Sequence, residues 1–154
     1  MRTRRAGVAL LVALCGIAIG VGALLPWVAA RGPRPRSGIT HTSVAGLFRW
    51  SYENASPFLR SFGAVVLLTG VLVLIGGLAA SRVVAGFFAL VALAAAGLWI
   101  GLNASHFNPT DLPYSDLLAG AWLTIAGGLV GLVGAFRLRR RARAYPVPGG
   151  RYGG

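Results

Sequence analysis

SFGAVVLLTGVLVLIGGLAASRVVAGFFALVALAAAGLWIGL, Ser61 to Leu102, contains a single charged residue, Arg82. A bilayer's hydrocarbon core takes about 20 apolar residues as a helix. The runs on either side of that arginine, 61–81 and 83–102, each meet this length. Only Ala80, Ser81 and Arg82 are available for the turn, so the stretch reads as two antiparallel membrane helices in a tight hairpin. An arginine at the bilayer centre would cost roughly 2.5–3.5 kcal/mol on insertion scales, which sets Arg82 at a helix end.

Working outward, 6–30 and 117–136 are the other two runs without charge. The chain of 154 residues therefore reads as an all-α membrane protein, a bundle of four transmembrane helices. A basic N-terminus (1–5) precedes the membrane domain (6–136), and a basic tail without expected order (137–154) follows it. Loop 31–60 is long, loop 103–116 is shorter, and both leave the same side. Charged residues are 12% of the chain, against roughly a quarter in soluble domains. All fifteen basic residues are arginine, and the net charge is +12. They flank apolar runs rather than lining a polar face, so membrane topology explains them better than nucleic acid does.

With the N-terminus inside, the inner side holds Arg2, Arg4, Arg5, Arg82, Arg137, Arg139, Arg140, Arg141, Arg143 and Arg151. The outer side holds Arg31, Arg34, Arg36, Arg49 and Arg60. Cytoplasmic loops carry the excess of basic residues, so both termini are expected in the cytoplasm of a plasma-membrane protein. The rival reading is a signal peptide cut after Val28-Ala29-Ala30, behind the basic MRTRR. The uncharged run exceeds a signal core of about 7–15 residues, and Pro26-Trp27 reads as a helix end with an interfacial anchor. Retention is the preferred reading.

Lipid gives helices no hydrophobic reason to associate, so small residues must allow close approach. Gly120, Gly127, Gly131 and Gly134, with Thr124, form a small-residue stripe in the fourth span. Gly16 and Gly20 in the first span, and Gly97 and Gly101 in the third, have GxxxG spacing. These eight glycines are the expected helix-packing positions, within the bundle or against a membrane-protein partner or second copy. No Asp, Glu, Lys, Arg or His lies within a span. Transporters and pumps usually place ionisable groups or broken helices at membrane depth, so that class is the runner-up.

The outer side carries Glu53, Asp111 and Asp116, both histidines, and the aromatic stretch Leu47–Tyr52. Trp50, Trp99, His41 and His106 are the candidate outer recognition residues. Ile39, Thr40, Thr42 and Val44 favour extended structure, so the first outer loop is expected to hold a short β-hairpin. Ser115 or Asp116 is expected to cap the fourth helix. Two histidines without HxxxH or CxxC spacing make no zinc motif, and no Gly-x-Ser-x-Gly elbow occurs, so no metal, cofactor or catalytic residue is assigned. Cys15 is the single cysteine, which excludes an intrachain disulfide. Arg137, Arg139, Arg140, Arg141 and Arg143 are placed to meet anionic lipid headgroups, at about 1 kcal/mol per basic residue near the surface.

Leu25-Pro26-Trp27 and Gly120-Ala121-Trp122-Leu123, followed by Gly127-Gly128 and Gly134-Ala135, carry a resemblance. The chain resembles small four-helix membrane proteins of actinobacteria, with LPW ending helix one and GxWLxxxGGxxxxxGA in helix four. It is loosely similar to tryptophan-operon-associated membrane proteins. The resemblance implies the four-helix fold and no established activity or functional residue. The expected function is non-enzymatic: an accessory or scaffold component of an envelope complex. The alternative is a small transporter or lipid- or solute-handling protein using the outer Trp/His face.

Overall fold

The computed structural model describes residues 2–27, 39, 43–45, 58–106 and 117–138, with side chains described for 6–27, 39, 43–45, 58–101 and 117–138. Four α-helices account for most of it: α1 (Arg2–Leu24), α2 (Phe62–Leu78), α3 (Arg82–His106) and α4 (Ala119–Arg137). A 3-10 turn, Phe58–Arg60, leads into α2. α1 packs on α2 and α4, α3 packs on the same two helices, and the diagonal pairs barely touch. The result is a square, antiparallel four-helix bundle. Three helices are long and apolar enough to cross a membrane, and the 17-residue α2 is shorter. The chain thus fits a membrane protein.

Burial inverts the usual order of a soluble core. Most buried apolar residues of the helices are small: Ala13, Ala23, Ala85, Ala89, Ala92, Ala95, Ala96, Ala121 and Ala135, alongside buried glycines. The large side chains point away from the bundle, including Leu10, Leu14, Ile17, Leu68, Ile75, Phe87, Leu90, Val130 and Phe136. Soluble monomers rarely present contiguous apolar surface beyond a few hundred Å². When the surrounding medium is lipid, burying leucine gains nothing and close backbone contact becomes the stabilising term.

The α2–α3 hairpin turns where Arg82 demands. Ser81 N–H donates to Gly76 O at 2.8 Å, and Ala80 N–H donates to Gly77 O at 3.0 Å. This is the Schellman pattern, which satisfies carbonyls left open at a helix C-terminus. It requires a left-handed residue after the cap, and Ala80 takes that place with φ of 50°. The N-terminus of α1 and the C-terminus of α4 share this end of the bundle. Gly77 lies against Ala9 and Ala13, and Gly134 lies against Val12. Exposed Arg82 and Arg137 mark the same end.

α1 ends at Leu24, inside the uncharged run 6–30 and beside the Pro26-Trp27 helix end read from the sequence, because Pro26 disfavours helical geometry at Leu25. Two expectations change. Among the described residues there is no strand, and the hairpin is not supported. Ile39 sits in a 3-10 turn and Val44 is helical, while the remaining positions of that segment, Thr40 and Thr42, lie outside the described residues. One isolated antiparallel bridge, Ser43 to Ser61, ties the first loop to the start of α2. Finally, the N-cap of α4 is Leu118, with no side-chain cap bond. Ser115 and Asp116 lie outside the described residues.

Candidate functional site

The end of the bundle opposite the hairpin is closed by a clasp built on Pro26 and Trp27. Pro26 stops α1 and turns the chain across the start of α4. Two carbonyls then serve as a distant cap: Leu118 N–H donates to Trp27 O at 2.9 Å, and Gly120 N–H to Pro26 O at 3.3 Å. A leucine has no oxygen to satisfy the first amides of a helix, which need partners when removed from water. The backbone of another helix end supplies them here.

Trp27 itself turns back into the bundle and is fully buried. Its indole N–H donates to Gly22 O at 2.8 Å, satisfying a carbonyl that α1 cannot bond internally once it has ended. The ring meets Trp99 edge to face, with centroids 5.2 Å apart and planes at 75°. Edge-to-face pairs contribute about 0.5–1.5 kcal/mol beyond their buried area. Gly120 makes room for this ring: a Cβ there would come within 2.6 Å of Trp27 Cδ1 and 2.8 Å of Leu25 O. Ile39 and Phe62 belong to the same buried cluster as the two tryptophans.

Trp99 is therefore not on a recognition surface. It is fully buried and sits in the plug. Trp27 likewise faces the bundle interior and not the interface, whereas Trp122 is half exposed at the first turns of α4, as an interfacial aromatic would be. His106 is the last residue of α3. His41, Trp50 and the three carboxylates lie outside the described residues. Among the described residues no group of three or more His, Cys, Asp or Glu is placed to hold a metal. Arg137 is exposed at the end of α4, and Arg139, Arg140, Arg141 and Arg143 lie outside the described residues.

The glycines divide sharply. Gly127 faces Cys15 O and Ile19, Gly131 faces Cys15 and Ala89, and Gly134 faces Val12, so α4 presents its stripe to α1 and reaches α3. Gly16 and Gly20 meet the backbone of α2 around Gly70. Gly97 and Gly101 depart from the expected packing role. A Cβ at either would meet nothing within 4 Å, and both are exposed on the outward face of α3. The spacing of that pair is right, but α3 is rotated so that Ala85, Ala89, Ala92 and Ala96 make the contact instead.

Sequence reasoning missed the glycines of α2. Gly63, Gly70 and Gly77 recur every seven residues and are buried, and Gly70 and Gly77 lie against the backbone of α1. That heptad spacing is the signal that marks them. It also missed the Pro26–Trp27 carbonyl cap, for which a linear pattern has no signature. The buried hydroxyls are satisfied locally: Thr69 Oγ1 donates to Val66 O at 2.8 Å and Thr124 Oγ1 to Gly120 O at 2.9 Å.

Fold and site together define a class, an all-α bundle with small residues inside, three membrane-length helices and one aromatic-plugged end. Comparison with family models, curated proteins and solved structures finds no match to the chain.

Proposed function

We propose that the protein is a multi-pass plasma-membrane protein acting as a non-enzymatic accessory or scaffold component of an envelope complex. The observation that carries this reading is the inverted bundle. Alanine and glycine make up most of the buried helix positions, beside a few larger side chains such as Val12, Ile19, Val66 and Val73. The buried threonine hydroxyls are spent on local helix carbonyls. Such an interior favours holding a shape over moving a solute. Burial of Trp99 in the plug removes one of the residues on which a transporter reading of the outer face depended.

Both termini are assigned to the cytoplasm. Exposed Arg82 and Arg137 share an end with the basic N-terminus, which supports that orientation under the positive-inside rule. Arg137 with Arg139, Arg140, Arg141 and Arg143 would then bind anionic headgroups of the inner leaflet. The kinship with small actinobacterial four-helix proteins belongs to the same proposal and rests on the LPW and helix-four motifs. Cross-linking in native membranes, followed by gentle extraction and mass spectrometry, tests the scaffold role. A stoichiometric membrane-protein partner or a defined homo-oligomer is expected. Recovery of monomer alone overturns the reading.

A further inference from the structure

We propose that the 3-10 turn Phe58–Arg60 is a lipid-inserting toe beside the second span, with Phe58 and Leu59 in the headgroup–acyl boundary and Arg60 on a phospholipid phosphate. The inference rests on the membrane reading above. It begins from a shortfall in length. α2 has 17 residues and spans about 26 Å at 1.5 Å per residue, less than the roughly 30 Å hydrocarbon core. The bilayer boundary therefore falls at the segment before α2, where Ser61 is extended (φ −94°, ψ 159°), so the 3-10 turn departs from the α2 axis and does not continue the helix.

The turn is anchored from within and apolar without. Ser61 is fully buried, and its Oγ donates to Phe58 O at 2.7 Å while its backbone N–H donates to the same oxygen at 2.9 Å. The Ser43 bridge pins Ser61 from the other side. Beyond this anchor, Leu59 is 82% exposed, the highest value among the large apolar side chains of the described residues, and Phe58 is 37% exposed. Exposed Arg60 stands beside them. Apolar side chains next to a cation, at the end of a membrane helix, match the layered chemistry of a bilayer interface: acyl chains, then phosphate. The charge of Arg60 selects the phospholipid headgroup layer as the occupant.

The test uses the full chain with Cys15→Ala, carrying a single cysteine in place of Leu59 or Leu68, labelled with an environment-sensitive fluorophore. The protein is reconstituted into phosphatidylcholine/phosphatidylglycerol vesicles containing nitroxide lipids, spin-labelled near the headgroup or near the bilayer centre. A probe at 59 is expected to be quenched by the shallow nitroxide and shielded from aqueous iodide, and a probe at 68 by the deep one. Iodide quenching at 59 without nitroxide quenching, while 68 reports the bilayer centre, overturns the toe and leaves the membrane reading intact. Escape of both probes from the nitroxides overturns both. Adding Arg60→Gln should reduce shallow quenching at 59, and unchanged quenching overturns the phosphate contact.

Discussion

Replacing Gly70 by alanine places a methyl group where α1 and α2 touch backbone to backbone. The new Cβ would lie 2.7 Å from Gly20 N and 2.8 Å from Gly16 O, against the 3.4 Å at which ordinary contact begins. The helices must therefore part by about 0.7 Å along that contact, and no flexible side chain can give way instead. Overpacking of this kind costs about 1–3 kcal/mol. Alanine also raises helix propensity by up to about 1 kcal/mol, which a single substitution cannot separate from the clash. Gly97→Ala supplies the separation, because it brings the same propensity gain into open space. Gly20→Ala is a control within the interface, its Cβ meeting only Leu67 Cδ1 at 3.6 Å. Reversible unfolding in mixed micelles, followed by circular dichroism, should rank Gly97→Ala at or above the parent and Gly20→Ala near it. Gly70→Ala should fall below Gly97→Ala by about 1–3 kcal/mol, with each 1.4 kcal/mol a tenfold change in the folded ratio. Equal stability of the Gly70 and Gly97 variants would refute the packing argument.

Further outcomes follow from the two ends of the bundle. Trp27→Phe keeps most of the ring but leaves Gly22 O without its donor, and should lower stability by about 1–3 kcal/mol in the same unfolding assay. Ala80→Gly relieves a left-handed alanine in the Schellman turn and should raise stability by about 0.5–1 kcal/mol, after the entropy of glycine is subtracted. Ser61→Ala removes the α2 cap bond to Ala64 N–H, 3.3 Å long, and should cost about 0.5–2 kcal/mol. For topology, a fluorescent-protein fusion after Gly154 should fluoresce and an alkaline phosphatase fusion there should be inactive; the reverse pattern contradicts the cytoplasmic assignment of the C-terminus.

Much of this architecture is legible in the linear chain. Four uncharged runs, with Arg82 alone between the second and third, determine four helices and a hairpin, because charge is excluded from apolar surroundings whatever the packing. Pro26 marks the end of α1 to within a residue or two by backbone sterics alone. Hydropathy does not determine how each helix is rotated about its axis. Lipid and bundle interior are both apolar, so either face of a helix such as α3 is acceptable to the medium. Rotation is decided by which backbones can approach, and that depends on partners distant in sequence. Tertiary packing therefore turns Gly97 and Gly101 outward while Gly70 and Gly77 meet α1. It buries Trp27 and Trp99 together, where the chain order alone reads an interfacial anchor and an outer recognition residue, and it lets the carbonyls of Pro26 and Trp27 cap a helix that begins some ninety residues later.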